Sequence, residues 1–177
     1  MAAVEKIASD TIRMERMLDA SVETVWRWLV EPELREQWFA GGEIDRREGG
    51  KLTLVFDHDK LSADEVPYPA EHSCTKGMKA PERIVKFDPP HLFAFTFQEG
   101  KEGTATFELS DAGEGRTRLV LTHSGITGPG PMADFAGGWN SHLAVLQTRL
   151  AGGVVRDFWA IHAQSKEEVR EALGADA

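Results

Sequence analysis

The sequence predicts an α+β fold in which a curved antiparallel sheet of about six or seven strands wraps around one long C-terminal helix. Between residues 43 and 122, short apolar alternations are separated by hairpin-length turns, which favours antiparallel neighbours because parallel ones need long crossovers. From residue 125 to residue 154 the only formal charges are Asp134 and Arg149, although 28% of the chain is charged. A long helix so poor in charge must be covered on several sides.

The first elements are a strand and two short helices. Apolar and polar residues alternate from Thr11 to Leu18, which predicts a half-buried strand. Ser21 is a favourable N-cap for a helix over residues 22–30. Pro32 suits the first turn of a helix but not its interior, so a second short helix is expected over residues 31–38.

Strands and then the long helix follow. Five further runs alternate with period two and are bounded by Gly, Pro or Asp turns, at residues 51–56, 83–87, 93–97, 104–109 and 116–123. The long helix is expected from Pro131 to about Ala151, with Trp139 buried against the concave face of the sheet. A shorter helix beginning at Ser165 is expected in a C-terminal extension, residues 152–177.

Composition limits the compartment and the partners. Lys and Arg total 20 against 29 Asp and Glu, a net charge of −9, which disfavours nucleic acid and anionic membranes as partners. No apolar run is long enough to insert in a membrane. Cys74 is the only cysteine, and the N-terminus lacks a secretory pattern, so a cytoplasmic protein is expected. The 177 residues are interpreted as a single domain with its core at residues 11–151.

Five sequence blocks resemble one family when taken in order. They are ASVETVW at 20–26 with EPE at 31–33 and Trp38, ERIV at 82–85, DPPHL at 88–92, TRL at 117–119 leading to Thr122 and His123, and GGW at 137–139 with Leu143 and Leu146. The chain resembles the START and birch-pollen-allergen superfamily (SRPBCC), in the branch related to activators of the heat-shock chaperone ATPase. This resemblance implies a helix-grip fold with a hydrophobic cavity between sheet and long helix, and it implies no catalytic residue.

Aromatic side chains dominate the predicted cavity wall. Each buries roughly 150–250 Å² when enclosed, so they supply either a ligand cavity or a solid core. The candidate ligand-binding residues are Trp26, Trp38, Phe56, Arg83, Phe93, Phe95, Phe97, Phe107, Phe135, Trp139, His142 and Leu146. His142 lies on the apolar stripe of the long helix, and Arg83 is placed at the cavity mouth, where its guanidinium can hold a carboxylate.

No metal or other cofactor is expected. His72 and Cys74 would point the same way in a strand, with Glu71 adjacent, but zinc needs three or four ligands, and His58 or His123 would have to complete the set. The Asp57-His58-Asp59 triplet is interpreted as a solvated loop. The surrounding segment, residues 57–82, is longer than a hairpin needs and is interpreted as a lid or an irregular excursion.

Three functions remain open at this point. The leading hypothesis is non-catalytic binding of a small hydrophobic or amphipathic molecule. The second is an aromatase- or cyclase-like enzyme using the same pocket, with His142, His123 or Arg83 assisting proton transfer. The third is a protein-interaction module, as the family resemblance implies, with the acidic stretch 57–71 as its contact surface. A homodimer is compatible with each of them.

Overall fold

The computed structural model describes residues 4–174. Within that range the strands are β1 (Val4–Ala8), β2 (Thr11–Leu18), β3 (Lys51–Val55), β4 (Lys79–Asp88), β5 (Leu92–Thr96), β6 (Thr104–Gly113) and β7 (Arg116–Ser124). The α-helices are α1 (Val22–Val30), α2 (Pro32–Arg35), α3 (Pro129–Leu150) and α4 (Phe158–Leu173), and 3₁₀ segments cover His58–Leu61, Ala70–Thr75 and Gln98–Gly100. The sheet order is β1-β2-β7-β6-β5-β4-β3, with antiparallel neighbours throughout. The predicted α+β plan is confirmed.

The helix after β2 begins where its capping residue predicts. The hydroxyl of Ser21 accepts a hydrogen bond from the N–H of Thr24 at 3.3 Å. Pro32 stands in the first turn of α2, where a missing N–H leaves no helical bond unmade. Helix α2 is shorter than predicted, ending at Arg35.

Arg35 fixes the loop that follows α2. Its side chain is 1% exposed, and it donates hydrogen bonds to the carbonyl oxygens of Ala40 at 2.8 Å and Gly42 at 2.7 Å. These charge-assisted bonds fold the loop back on itself, which places Trp38 and Phe39 inside the protein.

The long helix packs on the sheet through aromatic side chains. Trp139 of α3 is 2% exposed, and its ring centroid lies 5.0 Å from that of Phe39 and 5.5 Å from that of Phe107 on β6. Its indole N–H donates to Nδ1 of His123 on β7 at 3.1 Å. Helix α3 is therefore anchored to the sheet by both packing and a buried hydrogen bond.

Two elements differ from the sequence prediction. Strand β1 was not predicted, because only Val4 is buried and the next four residues are exposed, so no alternation marks it. Helix α4 begins earlier than Ser165: the carboxylate of Asp157 accepts the N–H of Ala160 at 2.9 Å and caps the helix there. Ser165 is instead a buried residue in the middle of α4.

The segment between β3 and β4 is held against the chain that leads into α4. The N–H of Ala63 donates to the carbonyl of Val155 at 2.8 Å, and the N–H of Phe158 donates to the hydroxyl of Ser62 at 2.9 Å. The two regions that lie outside the predicted sheet and long helix thus hold one another in place.

A membrane-spanning helix must be both long and apolar. Among residues 4–174, none of the helices combines the length and the apolarity that crossing a bilayer requires.

Candidate functional site: an aromatic and histidine pocket

A cavity of about 300 Å³ lies between the sheet, α3, α4 and the segment that joins β3 to β4. Its wall is mainly aromatic and imidazole rings, with few other polar side chains. The lining residues are Phe39, Phe56, His58, His72, Thr75, Met78, Ala80, Glu82, Phe97, Gln98, Asp134, Phe135, Gly138, Trp139, His142, Phe158, Trp159 and His162. We refer to this cavity as the aromatic–histidine pocket.

Five of the residues expected to line a cavity meet in this pocket. They are Phe56, Phe97, Phe135, Trp139 and His142. Phe97 follows β5 and contacts both α3 residues, with ring centroids 5.3 Å from Phe135 and 5.5 Å from Trp139. At the end of β5, residues after the sheet and residues of α3 thus line one cavity.

The other apolar candidates belong to the solid core instead. Trp26, Trp38, Phe93, Phe95, Phe107 and Leu146 are buried and do not line the pocket. They pack on one another: the ring centroids of Phe93 and Phe95 are 5.2 Å apart, and those of Phe95 and Phe107 are 6.0 Å apart. A role for these residues as ligand contacts stays a prediction, and their burial in the core away from the pocket does not favour it.

Arg83 also lies outside the pocket. It is exposed on β4, and its guanidinium donates to the carbonyl oxygen of Gly49 at 3.1 Å. Side chains alternate along a strand, so the buried neighbours Glu82 and Ile84 face inward and Arg83 faces out. Arg83 therefore does not place a guanidinium at the pocket mouth. The neighbouring inward-facing residue is Glu82, whose side chain is itself a carboxylate.

Glu82 shapes the rim of the pocket. Its two carboxylate oxygens accept hydrogen bonds from the hydroxyl of Thr96 at 2.6 Å and from the backbone N–H groups of Gln98 at 2.8 Å and Glu99 at 3.0 Å. Both turn residues have positive φ, 49° and 56°, a conformation that needs such support in residues other than glycine. Glu82 thereby fixes the position from which Gln98 borders the cavity.

The chain after α3 supplies one whole wall. Phe158, Trp159 and His162 of α4 line the pocket. The Phe158 ring centroid lies 5.1 Å from that of His58 and 5.0 Å from that of His142. Sequence reasoning missed this wall, although a Phe-Trp pair followed by His one helical turn later was a readable signal.

The predicted solvated loop at residues 57–59 is wrong at its centre. His58 is 8% exposed, stacks near Phe158 and has its ring centroid 5.5 Å from that of His142. Burial, with His72 nearby, lowers the pKa of His58 to about 4. Nδ1 of His58 is buried and has no hydrogen-bond partner among the residues the structure describes.

Burial favours the neutral form of His142, and a hydrogen bond to the backbone fixes its tautomer. Burial, reinforced by His58, lowers its pKa to about 3. Its Nδ1 lies 2.8 Å from the carbonyl oxygen of Trp38, which can only accept, so Nδ1 carries the proton. Nε2 is then an acceptor on the pocket side of α3.

His162 and His72 complete the imidazole set. Burial lowers the pKa of His162 to about 4, and its Nδ1 lies 3.1 Å from the hydroxyl of Ser141, which itself donates to a helix carbonyl. His72 stacks on Trp159 with ring centroids 5.0 Å apart and an interplanar angle of 13°. His72 lies in a 3₁₀ segment, and Cys74 in the same segment is exposed.

His123, a candidate proton-transfer group, is a core residue. It is 0% exposed; Nδ1 accepts from the indole of Trp139, and Nε2 therefore donates to the carbonyl oxygen of Glu102 at 2.7 Å. Both ring nitrogens are occupied, and burial lowers its pKa. It has no free atom to offer a substrate.

The imidazoles do not form a metal centre. Across residues 4–174, no three His, Cys, Asp or Glu side chains are grouped as a metal ion would need. His72 and Cys74, considered above as two possible zinc ligands, do not both line the pocket; only His72 does.

Comparisons with known proteins give a family model and related structures. A family model described as Activator of Hsp90 ATPase homolog 1-like protein matches residues 19–151. The comparison with curated proteins finds no match. A Bordetella parapertussis protein solved by solution NMR is 36% identical, with a TM-score of 0.78 over 94% of this chain and 88% of that one.

More distant structures share the fold. CalU16 from Micromonospora echinospora, a crystal structure, is 19% identical with a TM-score of 0.65, covering 98% of this chain and 96% of that one. The Aha1 dimer from Colwellia psychrerythraea is 18% identical with a TM-score of 0.58, covering 79% of this chain and 95% of that one. The family-model match ends before α4, so the wall that α4 supplies lies beyond it.

Proposed function

Because the chain belongs to the family of Activator of Hsp90 ATPase homolog 1-like proteins, we propose that it is a non-catalytic binder of a small hydrophobic or amphipathic molecule, held in the aromatic–histidine pocket. The resemblance carried by the five sequence blocks is confirmed by this membership. The activity is the part we propose, because membership of the family alone specifies no ligand.

One observation carries the proposal. The aromatic–histidine pocket is a space of about 300 Å³ walled mainly by aromatic and imidazole rings, whereas the core residues Phe93, Phe95 and Phe107 are buried and do not line it. Leaving apolar walls exposed is unfavourable, and an apolar ligand that covers them recovers roughly 25 cal/mol per Å² of surface removed from water. This is the usual character of a small-molecule site.

Of the three residues considered for proton transfer in an aromatase- or cyclase-like enzyme, only His142 lines the pocket. Arg83 faces away from the pocket, and His123 uses both ring nitrogens inside the core. His142 remains, but as a neutral imidazole with a strongly lowered pKa it is a weak base. Binding without chemistry therefore accounts for more of the site.

The protein-interaction alternative is also less well supported. Within residues 57–71, His58 and Leu61 are buried, and Asp59 is paired with Lys76 at 2.6 Å. His58 lines the pocket and Asp64 is paired with Arg156, so only part of the stretch, including the exposed Glu65 and Glu71, is left as acidic surface for a partner.

We expect the substitution Gly138→Leu to abolish ligand binding while keeping the protein folded. Gly138 is a helical glycine that lines the pocket, and a Cβ placed there meets no atom within 4 Å. Leucine is the better helix former by roughly 0.5–1 kcal/mol, and its side chain occupies the space a ligand would use. The measurement is a fluorescence titration with prodan, an uncharged two-ring dye, for which we expect micromolar affinity in the unsubstituted protein.

Gly130→Leu is the matched control. Gly130 lies in the first turn of the same helix and is exposed, and a Cβ added there also meets no atom within 4 Å, but it does not line the pocket. It should bind prodan as the unsubstituted protein does. Saturable binding that survives Gly138→Leu would place the dye elsewhere and remove the support for this pocket.

A further inference from the structure

We propose that the aromatic–histidine pocket selects an uncharged, two-ring aromatic molecule carrying a hydroxyl group, which hydrogen-bonds between His58 and His142. The inference rests on the proposed function and deepens it by naming the ligand class. Size, wall shape, charge and hydrogen-bonding capacity each limit what the pocket accepts.

The size of the pocket fits two fused rings. An apolar cavity of about 150 Å³ accommodates benzene. The aromatic–histidine pocket has about 300 Å³. A two-ring molecule fills this space, whereas a long acyl chain would have to leave it.

The walls favour a flat molecule. The ring of His58 lies at 30° to that of Phe158 and 38° to that of Trp159, with centroids about 5 Å away. His72 is almost parallel to Trp159. These rings pack on one another, so the surface that the wall presents to the cavity consists of flat rings held in fixed orientations, against which another ring can pack.

The charge of the wall excludes anions. Among the lining residues, all within the described part of the chain, there is no Lys or Arg, and Glu82 and Asp134 are carboxylates. Lys166, which lies outside the wall, contributes to lowering the pKa of His162 after the larger effects of burial and His72. A ligand carboxylate buried without a cation would lose its hydration and gain no ion pair.

The hydrogen-bonding capacity points to a hydroxyl group. His142 donates Nδ1–H to the carbonyl of Trp38, so its Nε2 can only accept. A neutral His58 offers one N–H donor, and its buried Nδ1 has no hydrogen-bond partner among residues 4–174. A hydroxyl group both accepts and donates, so one such group satisfies both rings, whose centroids are 5.5 Å apart.

Three matched probes test this inference: 2-naphthol, naphthalene and 2-naphthoate, titrated at pH 7 and followed by amide chemical shifts of pocket residues. We expect 2-naphthol to bind about tenfold more tightly than naphthalene, the gain from one well-placed hydrogen bond. We expect 2-naphthoate to bind at least tenfold more weakly than 2-naphthol. In protein labelled with ¹⁵N-histidine, 2-naphthol and not naphthalene should shift the ring nitrogens of His58 and His142.

His58→Phe is the variant that isolates the hydroxyl contact. Phenylalanine keeps a flat ring against Phe158 and removes the ring nitrogens, of which Nδ1 has no hydrogen-bond partner within residues 4–174. The preference for 2-naphthol over naphthalene should fall to about threefold or less, with naphthalene affinity kept. His91→Phe is the control, because His91 is exposed at the turn before β5 and lies outside the pocket.

The outcomes distinguish failure of the proposed function from failure of the proposed ligand class. If no probe binds, and prodan also fails, the proposed function is wrong. If naphthalene binds as well as 2-naphthol, or 2-naphthoate binds best, the pocket is a binding site but the ligand class is wrong. An unchanged 2-naphthol preference in His58→Phe overturns the hydroxyl contact in the same way.

Discussion

Lowering the pH from 7 to 5 is expected to destabilise the protein by about 3 to 4 kcal/mol, before most carboxylates titrate. The cause is the burial of neutral imidazoles around the pocket. In the folded protein the pKa of His58 is lowered to about 4 and that of His142 to about 3, against 6.5 in the unfolded chain. Each contributes nearly 2 kcal/mol over this range, and His162 adds a smaller amount because it is partly exposed.

The direction follows from proton uptake on unfolding. Below about pH 6.5 the unfolded chain binds protons that the folded protein does not, so the stability present above pH 6.5 is lost as the pH falls toward the folded pKa values. Urea denaturation at half-unit steps between pH 7.5 and 5 measures this, and the slope should approach about 1.4 kcal/mol per pH unit for each imidazole.

The His58→Phe variant supplies the control for this experiment. It removes one of the titrating imidazoles, so its stability should fall by about 2 kcal/mol less between pH 7 and pH 5. A pH-independent stability above pH 5 in the unsubstituted protein would show that these imidazoles are hydrated rather than buried.

Trp139→Ala is expected to reduce the free energy of unfolding by about 4 to 5 kcal/mol, the upper part of the range for Trp→Ala in a core. Trp139 is 2% exposed and packs against Phe39 and Phe107, so its loss opens a large cavity between α3 and the sheet. It also removes the only hydrogen-bond donor that the structure, over residues 4–174, gives to Nδ1 of buried His123.

Trp139→Phe separates the two contributions. Phenylalanine retains much of the packing but leaves His123 without its donor, so we expect a loss of about 1 to 3 kcal/mol. Chemical denaturation with a common baseline measures both variants. If Trp139→Ala proves as stable as the unsubstituted protein, α3 does not pack on the sheet as described.

Much of the fold was predictable because alternation, capping and turn residues act over short stretches of chain. The predicted strand at Thr11–Leu18 coincides with β2, and the predicted start of α3 is two residues from the observed Pro129. Strand β1 could not be predicted in this way. Its pairing with β2 stabilises it, and its own side chains after Val4 are exposed.

The candidate site was only half predictable, and the reason is geometric. Phe93 and Phe95 lie on β5 and Phe97 directly follows it, and nothing in their spacing of two says that only Phe97 of the three lines the pocket. The contact of His58 with Phe158 joins residues 100 positions apart. No local pattern encodes a contact at that separation. The Phe158-Trp159 pair followed by His162 marks an apolar face on α4, but its spacing does not say that this face packs against His58.

The α4 wall sets the order in which the pocket is completed during synthesis. A ribosome releases Phe158, Trp159 and His162 after every other lining residue, because translation proceeds from the N-terminus. The sheet and α3 can already pack while the pocket still lacks one side. A nascent chain that had formed the sheet and α3 but not yet α4 would expose its aromatic wall to whatever surrounds the ribosome.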